Sequence, residues 1–261
     1  MHIRVAPEKN NGNREIPVSP NSLMTKKLLI VKNITHEGAG LLETTLIEQG
    51  IEWCSVDLAA GELFPDPRQF SAVVVLGGPQ SANDETPSMR FQIQQIEKIL
   101  HEGVPYLGIC LGMQLLVKAG GGKVVKCRVK ETGFVDNNDN AYRIELTPSG
   151  KEDPLFAGLD NSFPVFQLHA ETVELASSGM ELLGAGKVCR NQAVKVGKNA
   201  YGLQCHFEMT DAMFYDWITL DSDLKRMKRN TLIEQFEALR NDYTATGLKL
   251  MNNFLSIACL A

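Results

Sequence analysis

The run Tyr106-Leu107-Gly108-Ile109-Cys110-Leu111-Gly112-Met113-Gln114 sets one thiol between two glycines, each two positions away, where an apolar strand gives way to a helical pattern. This is the G-x-C-x-G form of a nucleophile elbow. Glycines are required because the tight turn brings neighbouring backbone too close for a Cβ, and the turn lifts the thiol above the sheet edge. The helix that follows aims its N-terminus at the sulfur, which favours the thiolate, and the Leu111 N–H is placed to bind an oxyanion. A thiol nucleophile needs an imidazole to take and return its proton, and the imidazole needs a third group to fix its tautomer. Gly202-Leu203-Gln204-Cys205-His206-Phe207-Glu208 offers both, since residues two apart in an extended segment lie on the same side. Among the five histidines, His2 falls in a polar leader and His36 and His101 read as helix-surface residues, leaving His169 as the competitor of His206. A third feature, Val75-Leu76-Gly77-Gly78-Pro79-Gln80-Ser81, closes a strand with a turn whose backbone N–H groups could supply a second oxyanion donor.

These groups need a sheet to carry them. From Lys27 onward strand and helix patterns alternate. Residues 28–31, 51–56, 72–76 and 104–109 read as strands, and 36–49, 88–102 and 111–119 as helices, the first of them closed by Gly50 as a C-cap. That alternation predicts an α/β fold with a mostly parallel central sheet, right-handed crossovers and flanking helices. Short β-like runs at 123–129, 142–146, 163–167, 193–196 and 201–204 predict an antiparallel or mixed extension of the sheet. Apolar spacing over 211–258 predicts further helices. The expected organisation is a flexible N-terminal extension over 1–24, a core domain over 25–220, and a C-terminal helical extension over 221–261 packed on it.

Composition bounds the function classes. The 261 residues carry 26 Lys and Arg against 31 Asp and Glu, a net charge of −5, so a basic footprint for nucleic acid or an anionic membrane is not expected. No apolar run approaches the roughly 20 residues of a membrane span. The first residues lack an apolar signal core, so a cytoplasmic location is expected. The six cysteines are scattered without a CxxC pair and read as reduced thiols, none of them as part of a zinc site. No phosphate-binding G-x-x-x-x-G-K-[ST] loop occurs. The basic run Lys225-Arg226-Met227-Lys228-Arg229 reads as a solvated helix face.

Taken in order, Gly77-Gly78-Pro79, Gly108-Ile109-Cys110-Leu111-Gly112-Met113-Gln114 and Gly202-Leu203-Gln204-Cys205-His206-Phe207-Glu208 resemble the oxyanion loop, the nucleophile signature and the His-x-Glu motif of class I (triad) glutamine amidotransferases. The pattern is most similar to the glutaminase domain of GMP synthase and its stand-alone relatives, over residues 27–219. The resemblance implies a flavodoxin-like amidotransferase fold, with Cys110 as nucleophile, His206 as general base and acid, and Glu208 as its orienting carboxylate. It also implies oxyanion donors on the backbone of Gly78 and Leu111, and Gln114 as a contact to the substrate. Leu168-His169-Ala170-Glu171 sits where GMP synthase relatives carry Ser-His-Gly-Asp, which gives His169 a substrate-binding role. The chain departs from the family's Phe-His-Pro-Glu at two positions: Cys205 stands for the phenylalanine and Phe207 for the proline.

The implied reaction is hydrolysis of the glutamine side-chain amide through a cysteine γ-glutamyl thioester, with no cofactor and no metal. A γ-glutamyl hydrolase or peptidase using the same triad, and a non-catalytic regulatory subunit of a synthase, are the competing readings. The expected partners are L-glutamine or another γ-glutamyl compound, a separate ATP-dependent synthase subunit, and a second copy of the chain in a homo-oligomer.

Overall fold

The computed structural model describes residues 27–136 and 138–261. The expected extension over 1–24 lies outside the described residues. The first half alternates β1 (Leu28–Lys32), α1 (Leu41–Gln49), β2 (Trp53–Asp57), β3 (Ala72–Val75), α2 (Pro87–Glu102), β4 (Tyr106–Ile109) and α3 (Leu111–Ala119). Then come β5 (Lys123–Gly133), β6 (Arg143–Leu146), the short helix α4 (Pro148–Glu152), β7 (Ser162–Pro164), β8 (Gln167–Glu174), β9 (Met180–Ala185), β10 (Asn191–Val196) and β11 (Ala200–Leu203). Two helices end the chain, α5 (Asp211–Leu220) and the 29-residue α6 (Arg229–Ile257).

The main sheet has nine strands in the order β2-β1-β3-β4-β11-β10-β9-β6-β7. From β2 to β11 all neighbours are parallel. From β11 to β7 they are antiparallel, as the mixed extension predicts. Apart from Lys32 at the end of β1, the inner parallel strands are apolar and buried, as a sheet covered on both faces requires. One core forms on the face covered by α1 and the C-terminal half of α6, a second beneath α2 and α3, and a third gathers Phe134, Phe166, Phe214, Trp217, Phe236 and Tyr243 under α5 and α6. Because β1, β3, β4 and β11 run parallel, the segments that follow them leave from one sheet edge. These are Asn33 onward, Gly77-Gly78, Cys110, and Gln204 to Glu208.

Several elements differ from the sequence expectation. Helix α1 begins at Leu41, not at residue 36, because Gly40 adopts φ +54 and a Cβ there would lie 2.1 Å from the Glu208 carbonyl oxygen. The Leu41 N–H instead donates to that carbonyl at 2.8 Å, so the head of α1 abuts the segment after β11. Gly50 caps α1 in the left-handed region at φ +65, as expected. The run over 163–167 splits between two sheets: β7 is an edge strand of the main sheet, whereas β8 pairs with β5 in a separate two-stranded ribbon. Strand β9 has no clear counterpart in the period-two pattern.

Candidate active site

Cys110 has φ +53 and ψ −104, a left-side backbone for a residue with a side chain. Such a conformation costs about 1–3 kcal/mol and persists only when its surroundings impose it. Here they do. A Cβ on Gly108 would lie 2.4 Å from the Gly112 carbonyl, and one on Gly112 would lie 2.1 Å from the Val75 carbonyl oxygen. The Tyr106 hydroxyl donates to the Gly112 carbonyl at 2.8 Å, and the Cys110 N–H donates to Leu203 at 2.8 Å. The elbow is therefore clamped between β3 and β11, with Cys110 heading α3.

After β11 the chain stays extended, and the His206 N–H donates to the Phe166 carbonyl at 2.8 Å. His206 Nδ1 lies 2.7 Å from Glu208 Oε1, and Glu208 Oε2 accepts from the Phe207 N–H at 2.9 Å. The Trp217 ring meets the imidazole edge-on, with centroids 4.9 Å apart at 82°. Burial alone would lower the imidazole pKa. The charge of Glu208, together with hydrogen bonds to Cys110 and Glu208, overrides it and holds His206 well above its ordinary value. With Nδ1 turned to Glu208, Nε2 is the nitrogen left for the sulfur. Gln204 Nε2 also approaches the Cys110 sulfur, at 3.7 Å.

The Gly77-Gly78 turn closes over this pair. A Cβ on Gly77 would sit 3.0 Å from His206 Cε1 and 3.5 Å from Cys110 Cβ, and one on Gly78 would collide with Asn33 Cβ at 2.6 Å. Asn33 fixes the turn: its Nδ2 donates to the Leu76 carbonyl at 3.0 Å, and Gln80 Nε2 donates to the Asn33 carbonyl at 2.9 Å. Leu111 opens α3, where first-turn N–H groups have no partner within the helix. Gly78 and Cys110 face a common cavity of about 420 Å³, which Gln114, His169 and His206 also line. Gln114 gives its amide hydrogens to the Glu171 carbonyl at 3.1 Å and to Gln204 Oε1 at 3.2 Å. His169 directs Nε2 to Glu131 at 2.9 Å and Nδ1 to the Glu171 carbonyl at 3.0 Å, so it offers the cavity wall surface, not a free nitrogen. His101 is an exposed residue of α2, as expected, whereas His36 is exposed but lies in the turn before α1. Cys205 is fully buried in the main core, and burial pushes its thiol well above the ordinary value, so it acts as a small apolar filler beside the base.

Glu37 was invisible to periodicity because it falls in residues that read as helix. It lines the cavity together with Asp221. Burial is the first cause that pushes its carboxyl up to about 7; the charges of Glu208 and Asp221 add to this, while His206 and Lys32 oppose it. The folded state thus holds the proton more tightly than the unfolded chain does. Stability is highest below the ordinary carboxyl value of 4.5 and falls as pH rises to about 7. Glu37→Gln should remove this loss. Against the parent, its melting temperature should be several degrees higher at pH 8, on the order of 2 kcal/mol, and the gap should close towards pH 5.

A mostly parallel sheet flanked by helices carries a cysteine elbow, a histidine–carboxylate pair and a glycine turn at one edge, which defines the chain as an α/β protein with these groups gathered at the carboxyl ends of its parallel strands. The model of the family "Glutamine amidotransferase class-I" matches residues 41–214, and the chain belongs to that family. It is 31% identical over 170 residues to the glutamine-hydrolysing GMP synthase of Thermosipho melanesiensis, covering 64% of this chain and 30% of that protein. It is 34% identical over 166 residues to the glutamine amidotransferase-like protein YfeJ of Salmonella typhimurium, covering 61% of this chain and 65% of that one. The chain therefore spans less than two thirds of either relative. The crystal structure of a glutamine amidotransferase from Thermotoga maritima superposes with a TM-score of 0.78 at 26% identity, over 90% of this chain and 98% of that one. Among the described residues, no helix is long and apolar enough to cross a membrane.

Proposed function

We propose that the chain hydrolyses the side-chain amide of glutamine through a γ-glutamyl thioester on Cys110, releasing ammonia and glutamate. The observation that carries this reading is His206, held by the Glu208 carboxylate at 2.7 Å, lining the same cavity as Cys110. The thiol proton passes to His206 Nε2. The sulfur adds to the amide carbon, and negative charge moves onto the carbonyl oxygen, toward the N–H groups of Gly78 and Leu111. As the C–N bond breaks, His206 returns its proton to the nitrogen and ammonia leaves. Water then gives a proton to His206 and adds to the thioester, glutamate departs, and the thiol is restored. Glu208 keeps Nδ1 protonated and balances the imidazolium.

The acidic wall of Glu37 and Asp221 suits the α-ammonium of a γ-glutamyl substrate, with Glu37 as a specificity residue. Glu37→Gln should raise KM about tenfold, the equivalent of roughly 1.4 kcal/mol, and leave kcat near the parent value. In the parent, KM should fall as pH rises through about 7 and Glu37 ionises; in the variant it should stay flat. Steady-state kinetics between pH 6 and 8 decides this, and equal pH profiles would remove Glu37 from substrate recognition.

A second reading, a hydrolase of larger γ-glutamyl compounds, draws on the cavity of about 420 Å³, which is of the size that holds ligands well beyond a single amino acid. Ammonia and glutamate release from L-glutamine, run beside a γ-glutamyl dipeptide panel, separates the two. Turnover of glutamine supports the amidotransferase half-reaction, and under that reading a separate ATP-dependent synthase subunit in the cytoplasm is the partner that consumes the ammonia. Preference for a dipeptide supports the second. No turnover, and no labelling of Cys110 by an electrophilic glutamine analogue, would overturn both.

A further inference from the structure

Away from the catalytic cysteine, two other thiols and an imidazole converge. Cys127 comes from β5, His169 from β8, and Cys189 from the turn between β9 and β10. The Cys127 and Cys189 sulfurs are 3.8 Å apart, the Cys127 sulfur is 3.5 Å from His169 Nδ1, and all three ligand atoms lie within 4.8 Å of one another. A tetrahedral zinc ion with bonds of about 2.3 Å to sulfur and 2.05 Å to nitrogen has edges of about 3.8 Å between sulfurs and about 3.6 Å between sulfur and nitrogen. Two of the three edges already have those lengths.

The surroundings are those of a ligand set, not of filler thiols. Neither Cys127 nor Cys189 belongs to a hydrophobic cluster, whereas Cys205 does. Cys127 sits where the β5–β8 ladder shifts register between Lys126 and Glu131, an irregularity of the kind that re-aims side chains. Buried Glu131 holds His169 Nε2 at 2.9 Å, and is itself held by the Cys189 N–H at 3.1 Å and Gln192 Nε2 at 2.9 Å. A carboxylate on the far nitrogen is the usual orienting partner of a metal-bound histidine, and it leaves Nδ1 for the metal. Cys127 and Cys189 also line a surface pocket of about 210 Å³, which gives an entry path and room for a fourth, water ligand.

We propose that Cys127, Cys189 and His169 form a three-ligand site for zinc, with an open fourth position facing the pocket beside Thr172. Binding releases the two thiol protons and the proton that His169 Nδ1 directs at the Glu171 carbonyl, and it replaces that contact with a metal bond. That carbonyl also accepts from Gln114, so occupancy reaches the wall of the catalytic cavity through a single shared acceptor.

The test uses the full chain carrying Cys110→Ala, so that the catalytic thiol cannot bind metal, reduced and freed of metal by chelation. Competition with a chromophoric chelator should give one equivalent of zinc with submicromolar affinity, and cobalt should give thiolate charge-transfer and tetrahedral d–d bands. Adding Cys127→Ser and Cys189→Ser together should weaken zinc binding at least 100-fold and abolish the cobalt bands, with unchanged circular dichroism in chelator. Less than a tenth of an equivalent bound by the reduced protein would overturn the proposal. So would equal zinc affinity with and without the two serine substitutions. A redox disulfide between the same cysteines would appear as oxidised thiols and no zinc uptake after reduction, which also counts against the site.

Discussion

Cys110→Ala should lower kcat for γ-carboxamide hydrolysis by at least about 10⁴-fold while leaving the melting temperature within a few degrees of the parent. The size follows from what remains. Without the sulfur no thioester forms, and the oxyanion donors and substrate binding are left to assist a poorly placed water. The thermal effect is small because alanine removes one sulfur from the edge of a cavity without burying a new polar group, and it relieves none of the backbone strain at φ +53. His206→Ala should cost a similar factor, and the Cys110→Ala, His206→Ala pair should be no worse than either alone, since the two act as a unit. Glu208→Gln separates orientation from charge. It preserves a side chain of the same shape but removes the carboxylate that holds His206 well above its ordinary pKa, so activity should drop by 10²–10⁴-fold. Initial rates of glutamate formation check the series. Intact-protein mass spectrometry should find the γ-glutamyl adduct in the parent and not in Cys110→Ala. Full activity in Cys110→Ala would end the covalent reading.

The grouping of Cys110, His206 and Glu208 at one sheet edge was legible because its signals are local. Glycines flanking Cys110 report a turn that only glycines permit, and His206 and Glu208 are two residues apart in one extended segment, so their shared orientation follows from strand geometry alone. Residues whose roles depend on tertiary approach carried no such signal. Glu37 reads as part of a helical run until Gly40, pressed against the Glu208 carbonyl, holds the helix start at Leu41. Gln204 approaches the Cys110 sulfur from 94 residues away. Cys127, His169 and Cys189 are separated by 42 and 62 residues in the pairs that touch, far from any metal-binding spacing, and β-ladder irregularity brings them together. Apolar periodicity located the C-terminal helical region, but nothing in it told which backbone that region would meet.

That backbone is the 206–208 segment, which makes Gly247 the sharpest test of the role of α6. By helix propensity alone, Gly247→Ala should stabilise a mid-helix position by about 0.5–1 kcal/mol. The packing predicts the opposite sign. A Cβ at 247 would lie 2.2 Å from the Phe207 carbonyl oxygen and 2.6 Å from Leu41 Cδ1. The nearer atom is backbone and cannot swing aside, so either α6 or the 206–208 segment must shift, at an overpacking cost of about 1–3 kcal/mol. Tyr243, one turn earlier, accepts from the Met209 N–H at 3.2 Å and holds the far side of the same segment. Phe207 lies between His206 and Glu208, so a displaced Phe207 carbonyl misaligns the pair, and a misplacement approaching 1 Å costs on the order of 100-fold in rate. Gly247→Ala is therefore expected to lower the melting temperature by several degrees and kcat by 10- to 100-fold. Tyr243→Phe should cost about 1 kcal/mol of stability by orphaning the Met209 N–H. Asn241→Ala, at an exposed position of α6, should change neither. Thermal melts and initial rates on the three variants discriminate between the two signs. A stabilised and fully active Gly247→Ala would mean that α6 covers the core without positioning the catalytic histidine.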